Sequence, residues 1–200
     1  MAESGPFYKT FIDPLVVSMR KRVAKHIHHG EKVIDIACGT GAQVFEIAYR
    51  AGKIIGIDLS ESMIKTALKR KRVENIANAD FLVADATNLA FFKNKEFDVA
   101  ILSLALHQFN PGLHPSILNE MKRIAHKILI VDYEVPLPKN IAGYAGHFIE
   151  FLAGGEHNQN FRKYYKLGGL EPILKNNQLK IISKRIFASG IFQLVVCLPA

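Results

Sequence analysis

The sequence predicts an α/β fold in which a seven-stranded, mostly parallel β-sheet has helices on both faces. Short apolar, β-branched runs alternate with segments of helical periodicity, which is typical of parallel strands joined by helical crossovers. The chain has 200 residues, the length of one domain. Hydrophobic residues make up 49% and charged residues 22%, which is the composition of a globular rather than a disordered chain.

Five strands and four helices are predicted in the first two thirds of the chain. The apolar runs place strands over residues 32–38, 53–59, 80–84, 97–104 and 128–133. Helical spacing predicts helices over residues 11–27, 41–50, 60–73 and 114–125. Ser60 is a suitable N-cap, and Pro115 suits the first turn of the helix that it begins.

The last third of the chain departs from this alternation. Residues 180–187 and 191–198 are strand-like and are joined by Ala-Ser-Gly, so a hairpin with an antiparallel last strand is predicted. Residues 134–178 are too many for an ordinary connection, and we expect a helical insertion between strands 5 and 6 that forms a lid. The whole chain, 1–200, is then a single Rossmann-like domain with an N-terminal helical segment over residues 1–29.

Charge and composition restrict the function without fixing it. The net charge is +8, and basic side chains cluster at residues 20–25 and 65–72. These clusters fit an RNA, lipid or anionic-substrate surface, or two solvated helix faces, and no aromatic residues interleave with them as nucleic-acid stacking requires. The two cysteines, Cys38 and Cys197, exclude a disulfide framework. Without a membrane-spanning run or a signal layout, we expect a cytoplasmic protein.

Ligands of parallel sheets bind at the carboxyl ends of the strands, and the residues there are informative. Gly39 and Gly41 follow the first strand, where they let the backbone approach a ligand and expose amides at a helix N-terminus. Asp58 ends the second strand, where an acid can accept hydrogen bonds from a ribose diol, and Asp85 follows the third. A dinucleotide fingerprint requires a third glycine where Val44 stands, so we predict a ligand with ribose and adenine but no pyrophosphate.

Four motifs carry a resemblance to a known family. VIDIACGTGA, GIDLSESMI, ADAT and FDVAILSLALHQF, in this order, resemble the motifs of class I S-adenosylmethionine-dependent methyltransferases, most closely the UbiE-like (methyltransferase domain) family. They cover residues 30–135, and the C-terminal hairpin fits the same fold. The resemblance implies S-adenosylmethionine as cofactor, S-adenosylhomocysteine as product, and methyl transfer by in-line displacement.

The resemblance also implies a role for each matching residue. Four residues of the first motif would line the methionine portion, with the first orienting its amino group: Asp35, Ala37, Gly39 and Gly41. Further residues would hold the ribose, the adenine and the sulfonium end: Asp58 for the ribose, Leu59, Met63, Asp85 and Ala86 for the adenine, and Ser103 and Leu104 for the sulfonium. The pair Ala37-Cys38 departs from the commoner glycine-containing pair, and Cys38 is interpreted as a packed small residue. Structural roles remain the alternative for four of these residues. Asp35 could cap the loop amides, Asp58 could cap a helix and Asp85 could form a turn. Met63 could belong to the core.

Candidates for catalysis follow the fourth strand and lie in the insertion. His107, near the expected methyl position, is a candidate base or acceptor-orienting group unless backbone groups satisfy its ring. Tyr144, His147 and Glu150 stand at i, i+3 and i+6, which predicts a polar helix face towards the cofactor cleft, or else a solvated one. The histidines show no metal-ligand spacing, so no metal site is predicted. Tyr8 is a candidate cover over the cofactor.

Missing motifs narrow the methyl acceptor. The chain has no [DNS]PP[YFW] sequence for a flipped base, no Pro-Cys nucleophile, and too few cysteines for arsenite chemistry. We therefore expect a small-molecule acceptor, and the UbiE resemblance suggests a hydrophobic, quinone-type one. An RNA methyltransferase that uses the basic clusters and a cofactor-binding protein without turnover remain the alternatives. The sequence is compatible with a monomer or a homodimer.

Overall fold

The computed structural model describes residues 13–199, apart from the side chains of residues 13–15, 149, 152 and 153. The start of the predicted N-terminal segment, including Tyr8, lies outside the described residues. Within them, seven α-helices surround the sheet: α1 Asp13–Ala24, α2 Ala42–Ile47, α3 Glu61–Val73, α4 His114–Ile124, α5 Ile141–Ala153, α6 Gly155–Lys166 and α7 Leu170–Asn176. None of the described helices is both long and apolar enough to cross a membrane.

The described strands form one seven-stranded sheet with the order β3-β2-β1-β4-β5-β7-β6. Their bounds are β1 Lys32–Ile36, β2 Lys53–Asp58, β3 Ala79–Val83, β4 Phe97–Ser103, β5 Ala125–Tyr133, β6 Leu179–Phe187 and β7 Phe192–Pro199. Strands β1 to β5 pair in parallel, whereas β7 is antiparallel to both of its neighbours. The predicted α/β fold with an antiparallel last strand is confirmed.

Burial explains why the central strands are readable from the sequence. Strands β1, β4 and β5 are buried along most of their length, and most of their positions are apolar. The residues at which these strands begin and end depend on backbone geometry and strand pairing rather than on burial. Strand β1 ends at Ile36, because Ala37 has a left-handed backbone (φ 54°) that turns the chain into the following loop. Strand β5 begins at Ala125 rather than at residue 128, because the polar residues before Ile128 still pair with β4.

The segment between β5 and β6 is helical, and two hydrogen bonds hold its middle helix, α6, against the strand ends. The Asn160 amide donates to the carbonyl of Gln108, 2.9 Å away, in the 3-10 turn that follows β4. The buried Tyr164 hydroxyl donates to the carbonyl of Tyr133, 2.8 Å away, at the end of β5. The insertion therefore lies over the carboxyl ends of β4 and β5, where the sequence places the catalytic candidates.

Candidate active site

The loop after β1 is shaped by backbone conformations that favour glycine. Gly39 and Gly41 have φ values of 55° and 78°. A Cβ at Gly41 would lie 2.6 Å from the Phe81 ring, whereas a Cβ at Gly39 would have no atom within 4 Å. The loop thus packs against β3 at Gly41 and leaves open space at Gly39. Cys38 is half-buried, and burial, with Asp35 and Asp58 nearby, raises the pKa of its thiol well above the usual range, which fits a packed side chain.

Replacing Gly41 by alanine should destabilise the protein more than the same change at Gly39. Both variants place a side chain on a left-handed backbone, which costs about 1–2 kcal/mol. Only the Gly41 variant also forces the Phe81 ring to move, and such overpacking costs a further ~1–3 kcal/mol. Urea unfolding of Gly41→Ala and Gly39→Ala measures the difference. Equal losses would show that the contact with Phe81 does not constrain the loop.

Asp58 connects this loop to the start of α3. One carboxylate oxygen accepts a hydrogen bond from the Gly39 amide and the other from the Ser60 amide, each 2.8 Å long. Ser60, and not Asp58, is the N-cap of α3, because its hydroxyl accepts from the Met63 amide. Each carboxylate oxygen can accept a second hydrogen bond, so Asp58 retains capacity for a ligand.

Asp35 is a buried carboxylate without a complete set of partners. Its side chain is 2% exposed, and Oδ2 has no hydrogen-bond partner among the atoms that the structure describes. Burial, and secondarily the charge of Asp58, raise the pKa of Asp35 to about 8. The buried hydroxyl of Ser103, at the end of the adjacent strand β4, also has no partner among the described atoms. Unpaired buried groups of this kind are costly and fit a cationic, hydrogen-bonding ligand such as the amino-acid end of S-adenosylmethionine.

The residues predicted around the adenine lie at the surface. Leu59 and Asp85 are exposed, and Ala86 is half-buried. Met63 is 40% exposed, which excludes the alternative that it belongs to the core. One carboxylate oxygen of Asp85 accepts from the amide and the hydroxyl of Thr87, so the turn-forming role exists and does not use the other oxygen. The proposed contacts of these residues with adenine stay predictions.

His107 lies in a buried polar cluster rather than in an open cleft. Its side chain is 2% exposed, and its Nδ1 lies 2.6 Å from Asp132 Oδ1 at the end of β5. The other ring nitrogen lies 3.6 Å from Glu150 Oε1. Both ring nitrogens therefore face carboxylates and not backbone groups. Burial opposes a charge on His107, but Asp132 and Glu150 outweigh it and raise the pKa of the imidazole.

Of the three residues expected on α5, the insertion brings only Glu150 to His107. Glu150 is buried and its Oε2 lies 2.6 Å from Nε2 of His157 in α6. Tyr144 is 66% exposed, and the exposed His147 packs its ring against that of Tyr165. The predicted common polar face of α5 is wrong, because the inner side of this helix carries Glu150 while aromatic residues face outwards. The structure thus gathers Asp132, Glu150 and His157 around His107, and does not bring Tyr144 to them.

Comparison with known proteins agrees with the fold and identifies the family. A family described as methyltransferase domain matches residues 27–168. A demethylmenaquinone methyltransferase of Lactococcus lactis is 33% identical over 98 residues, covering 48% of this chain and 38% of that protein. The Thermotoga maritima protein of the same name is 30% identical over 157 residues, covering 72% of this chain and 65% of that protein. The chain spans about two fifths to two thirds of the length of these relatives.

Solved structures share the architecture. A SAM-dependent methyltransferase from Aquifex aeolicus superposes with a TM-score of 0.68 and 16% identity, covering 90% of this chain and 89% of that one. Magnesium protoporphyrin IX methyltransferase from Synechocystis, solved with SAH, gives 0.66 at 18% identity, with coverages of 98% and 88%. At these identities the likeness shows the fold, which is that of class I methyltransferases. The chain belongs to the family described as methyltransferase domain. The recognition of this family and its cofactor from the sequence is confirmed.

Proposed function

We propose that this protein transfers a methyl group from S-adenosylmethionine to a small, apolar, aromatic acceptor. The observation that carries the proposal is the buried carboxylate of Asp35, whose unpaired oxygen lies beside the glycine-containing loop at the carboxyl end of β1. When ionised, a carboxylate in this position needs a cationic partner. When bound, S-adenosylmethionine supplies an electrophilic methyl group on its sulfonium.

The residues of the chain would bind the cofactor and orient it. Asp35 and the Ser103 hydroxyl would receive the amino-acid end, and the two buried groups would then gain the partners that they lack. Asp58 would accept from the ribose hydroxyls with its remaining lone pairs. The exposed side chains of Leu59 and Met63 would be covered by the adenine ring, beside Asp85 and the Ala86 amide. Ala37 and Leu104, which also have positive φ values, would bring loop backbone close to the ligand.

A small acceptor is favoured over RNA because three of the five basic side chains in the larger cluster pair with carboxylates. On α3, Lys65 pairs with Glu61, Arg70 with Glu74, and Lys71 with Asp80 of β3. Phosphate binding would have to compete with these ion pairs. Among the relatives, demethylmenaquinone methyltransferases are named for a quinone-type molecule. The exposed Tyr144, Phe148 and Phe151 on α5 offer an apolar surface that suits such an acceptor.

Methyl transfer requires alignment of the acceptor and exclusion of water more than acid or base groups. The insertion is placed for both tasks, since α6 is hydrogen-bonded to the ends of β4 and β5. Closure of this segment as a lid would carry Tyr144 and His147 with it. A catalytic role for His107, Tyr144 or His147 stays a prediction.

Isothermal titration with S-adenosylmethionine, S-adenosylhomocysteine and NAD tests the cofactor. We expect the first two to bind and NAD not to bind, because Val44 replaces the third fingerprint glycine. Asp58→Ala should weaken binding by about 10- to 100-fold, since hydrogen bonds to a charged group contribute about 1.5–3 kcal/mol. Asp80→Ala, which removes an exposed carboxylate paired with surface lysines, is the control and should bind normally.

Two outcomes would contradict the proposal. One is the absence of S-adenosylmethionine and S-adenosylhomocysteine binding by folded wild-type protein. The other is an affinity of Asp58→Ala equal to that of Asp80→Ala, which would remove the ribose role. Turnover is then measured by transfer of labelled methyl groups to a panel of hydroquinones and, separately, to RNA. Methylation of RNA alone would overturn the choice of acceptor.

A further inference from the structure

Two histidines and one glutamate converge between the sheet and the insertion. His107 comes from the turn after β4, Glu150 from α5 and His157 from α6. Their nitrogen and carboxylate oxygen atoms all lie within 4.8 Å of one another. The sequence predicted no metal site, because Glu150 follows His107 by 43 positions and His157 follows Glu150 by 7. Only the packing of α5 and α6 brings the three side chains together.

The geometry around His107 resembles that of an oriented metal ligand. The contact of Nδ1 with Asp132, 2.6 Å long, fixes the ring and directs Nε2 towards Glu150. A carboxylate behind the second ring nitrogen is the usual support of a metal-bound histidine. The 3.6 Å between Nε2 and Glu150 Oε1 is too long for a good hydrogen bond. It is close to the separation of about 3.3 Å between two ligand atoms of one tetrahedral Zn²⁺ ion. The 2.6 Å hydrogen bond between His157 Nε2 and Glu150 Oε2 would be replaced by bonds to the ion.

A cation at this place is compatible with the charges of the cluster. Asp132 and Glu150 are both buried, and buried carboxylates require compensating positive charge. One divalent ion with two neutral imidazoles would compensate both. His157 is 30% exposed, which gives an ion a path from solvent to the cluster.

The donor set selects the class of metal. Two imidazole nitrogens and one carboxylate suit Zn²⁺ and similar divalent transition metals, whereas Mg²⁺ and Ca²⁺ prefer oxygen ligands. We propose that His107, Glu150 and His157 bind one divalent transition-metal ion, with Zn²⁺ as the best match, and that this ion fastens the helical insertion to the sheet. Three protein ligands leave the fourth position open to water or to a polar atom of the acceptor.

Metal titration of chelator-treated protein tests the site directly. Co²⁺ is followed by its visible absorption, and Zn²⁺ by competition with a coloured chelator. We expect wild-type protein to bind one ion per chain. The visible absorption spectrum of bound Co²⁺ should be that of an ion with nitrogen and oxygen ligands. His157→Gln and Glu150→Gln should each weaken binding by at least about 10- to 100-fold, the loss usually caused by removing even a supporting group of a metal site.

A histidine elsewhere on the same scaffold provides the control. His126 is exposed at the opposite end of β5 from Asp132, so His126→Gln should bind the ion like wild-type protein. Circular dichroism and thermal unfolding of the metal-free variants establish that each is folded. His157→Gln should fold because this side chain is partly exposed.

Hydrogen exchange provides a second readout. The ion should slow amide exchange in α5 and α6 of wild-type and His126→Gln protein, and should not do so in His157→Gln. Wild-type protein that binds no Zn²⁺ or Co²⁺, or a folded His157→Gln variant with wild-type affinity, would overturn the proposal. Neither measurement uses cofactor or acceptor, so the result stands apart from that for methyl transfer.

Discussion

Asp35→Asn should raise the melting temperature of the cofactor-free protein and at the same time weaken S-adenosylmethionine binding by at least about 100-fold. The substitution keeps the shape of the side chain and removes a carboxyl group whose charged form is buried without a full set of partners. Relief of that penalty by about 1 kcal/mol would shift the melting temperature by roughly 2–4 °C for a chain of this size. In its proposed role Asp35 is the partner of the cofactor's cationic end, so affinity and stability should change in opposite directions.

The effect on stability should depend on pH in a defined sense. The pKa of Asp35 is about 8 in the folded protein, against 3.8 ordinarily. Between these values the folded state retains a proton that the unfolded state has lost, so this group's contribution to stability falls as pH rises through the window. The advantage of Asp35→Asn over wild type should therefore be small near pH 4 and largest above pH 8. Cofactor affinity of wild-type protein should rise over the same range, because the ionised carboxylate binds the cation.

Thermal unfolding at several pH values, with and without S-adenosylmethionine, measures both effects. Asp80→Asn serves as the control: its carboxylate is exposed and paired with Lys71, whose hydrogen bond is the main reason why the pKa of Asp80 is lowered. The stability difference between Asp80→Asn and wild-type protein should not grow between pH 4 and 8. An Asp35→Asn protein that is less stable than wild type at every pH, or that binds the cofactor normally, would refute the assignment of Asp35.

Asp132→Ala should destabilise metal-free protein by about 3–5 kcal/mol, the usual result of breaking a buried ion pair on one side. The fully buried carboxylate accepts from the His107 amide (3.1 Å) and the Tyr133 amide (2.8 Å), and contacts the His107 ring at 2.6 Å. Alanine removes every one of these acceptors. It also leaves the imidazole of His107 with Glu150 as its remaining carboxylate neighbour in the described cluster.

Urea unfolding of Asp132→Ala and Asp132→Asn at neutral pH checks this expectation. The asparagine variant retains one carbonyl acceptor and should lose less stability than the alanine variant. Asp80→Ala, at an exposed site, should change stability by less than about 1 kcal/mol. A loss in Asp132→Ala no larger than that of Asp80→Ala would show that the cluster does not hold the end of β5.

The sheet was predictable because burial and sequence are directly related in parallel strands. Strands β1, β4 and β5 are covered on both faces, so most of their residues are apolar. The glycine in the turn before Ile191 indicated the antiparallel hairpin. The first residues of β5 were missed, because Ala125 and His126 have little strand propensity and are extended by pairing with β4.

The strand-end residues were predictable by the same logic, whereas the buried cluster was not. Asp35 and Asp58 belong to β1 and β2 themselves, so their place at one edge of the sheet follows from the fold. The place of Glu150 depends on how α5 rotates against α6, which local periodicity cannot decide. The usual expectation fails there, because Phe148 and Phe151 are exposed while Glu150 is buried. Asp132 could have been predicted from its place near the end of β5. This strand is an apolar run that pairs with β4, and His107 follows β4 in the chain.

Asp58 has a further consequence for how a two-part ligand is recognised. Because its carboxylate holds both the Gly39 amide and the Ser60 amide, the loop after β1 and the first turn of α3 cannot shift independently. In the proposed site, the ribose hydroxyls would donate hydrogen bonds to Asp58. The same carboxylate positions the loop after β1, which would contact the methionine part of the ligand. Adenosine and methionine offered as separate fragments should then bind non-additively, with one fragment improving the affinity for the other. Such cooperativity would let the protein discriminate the intact cofactor from the far more varied pool of free nucleosides and amino acids.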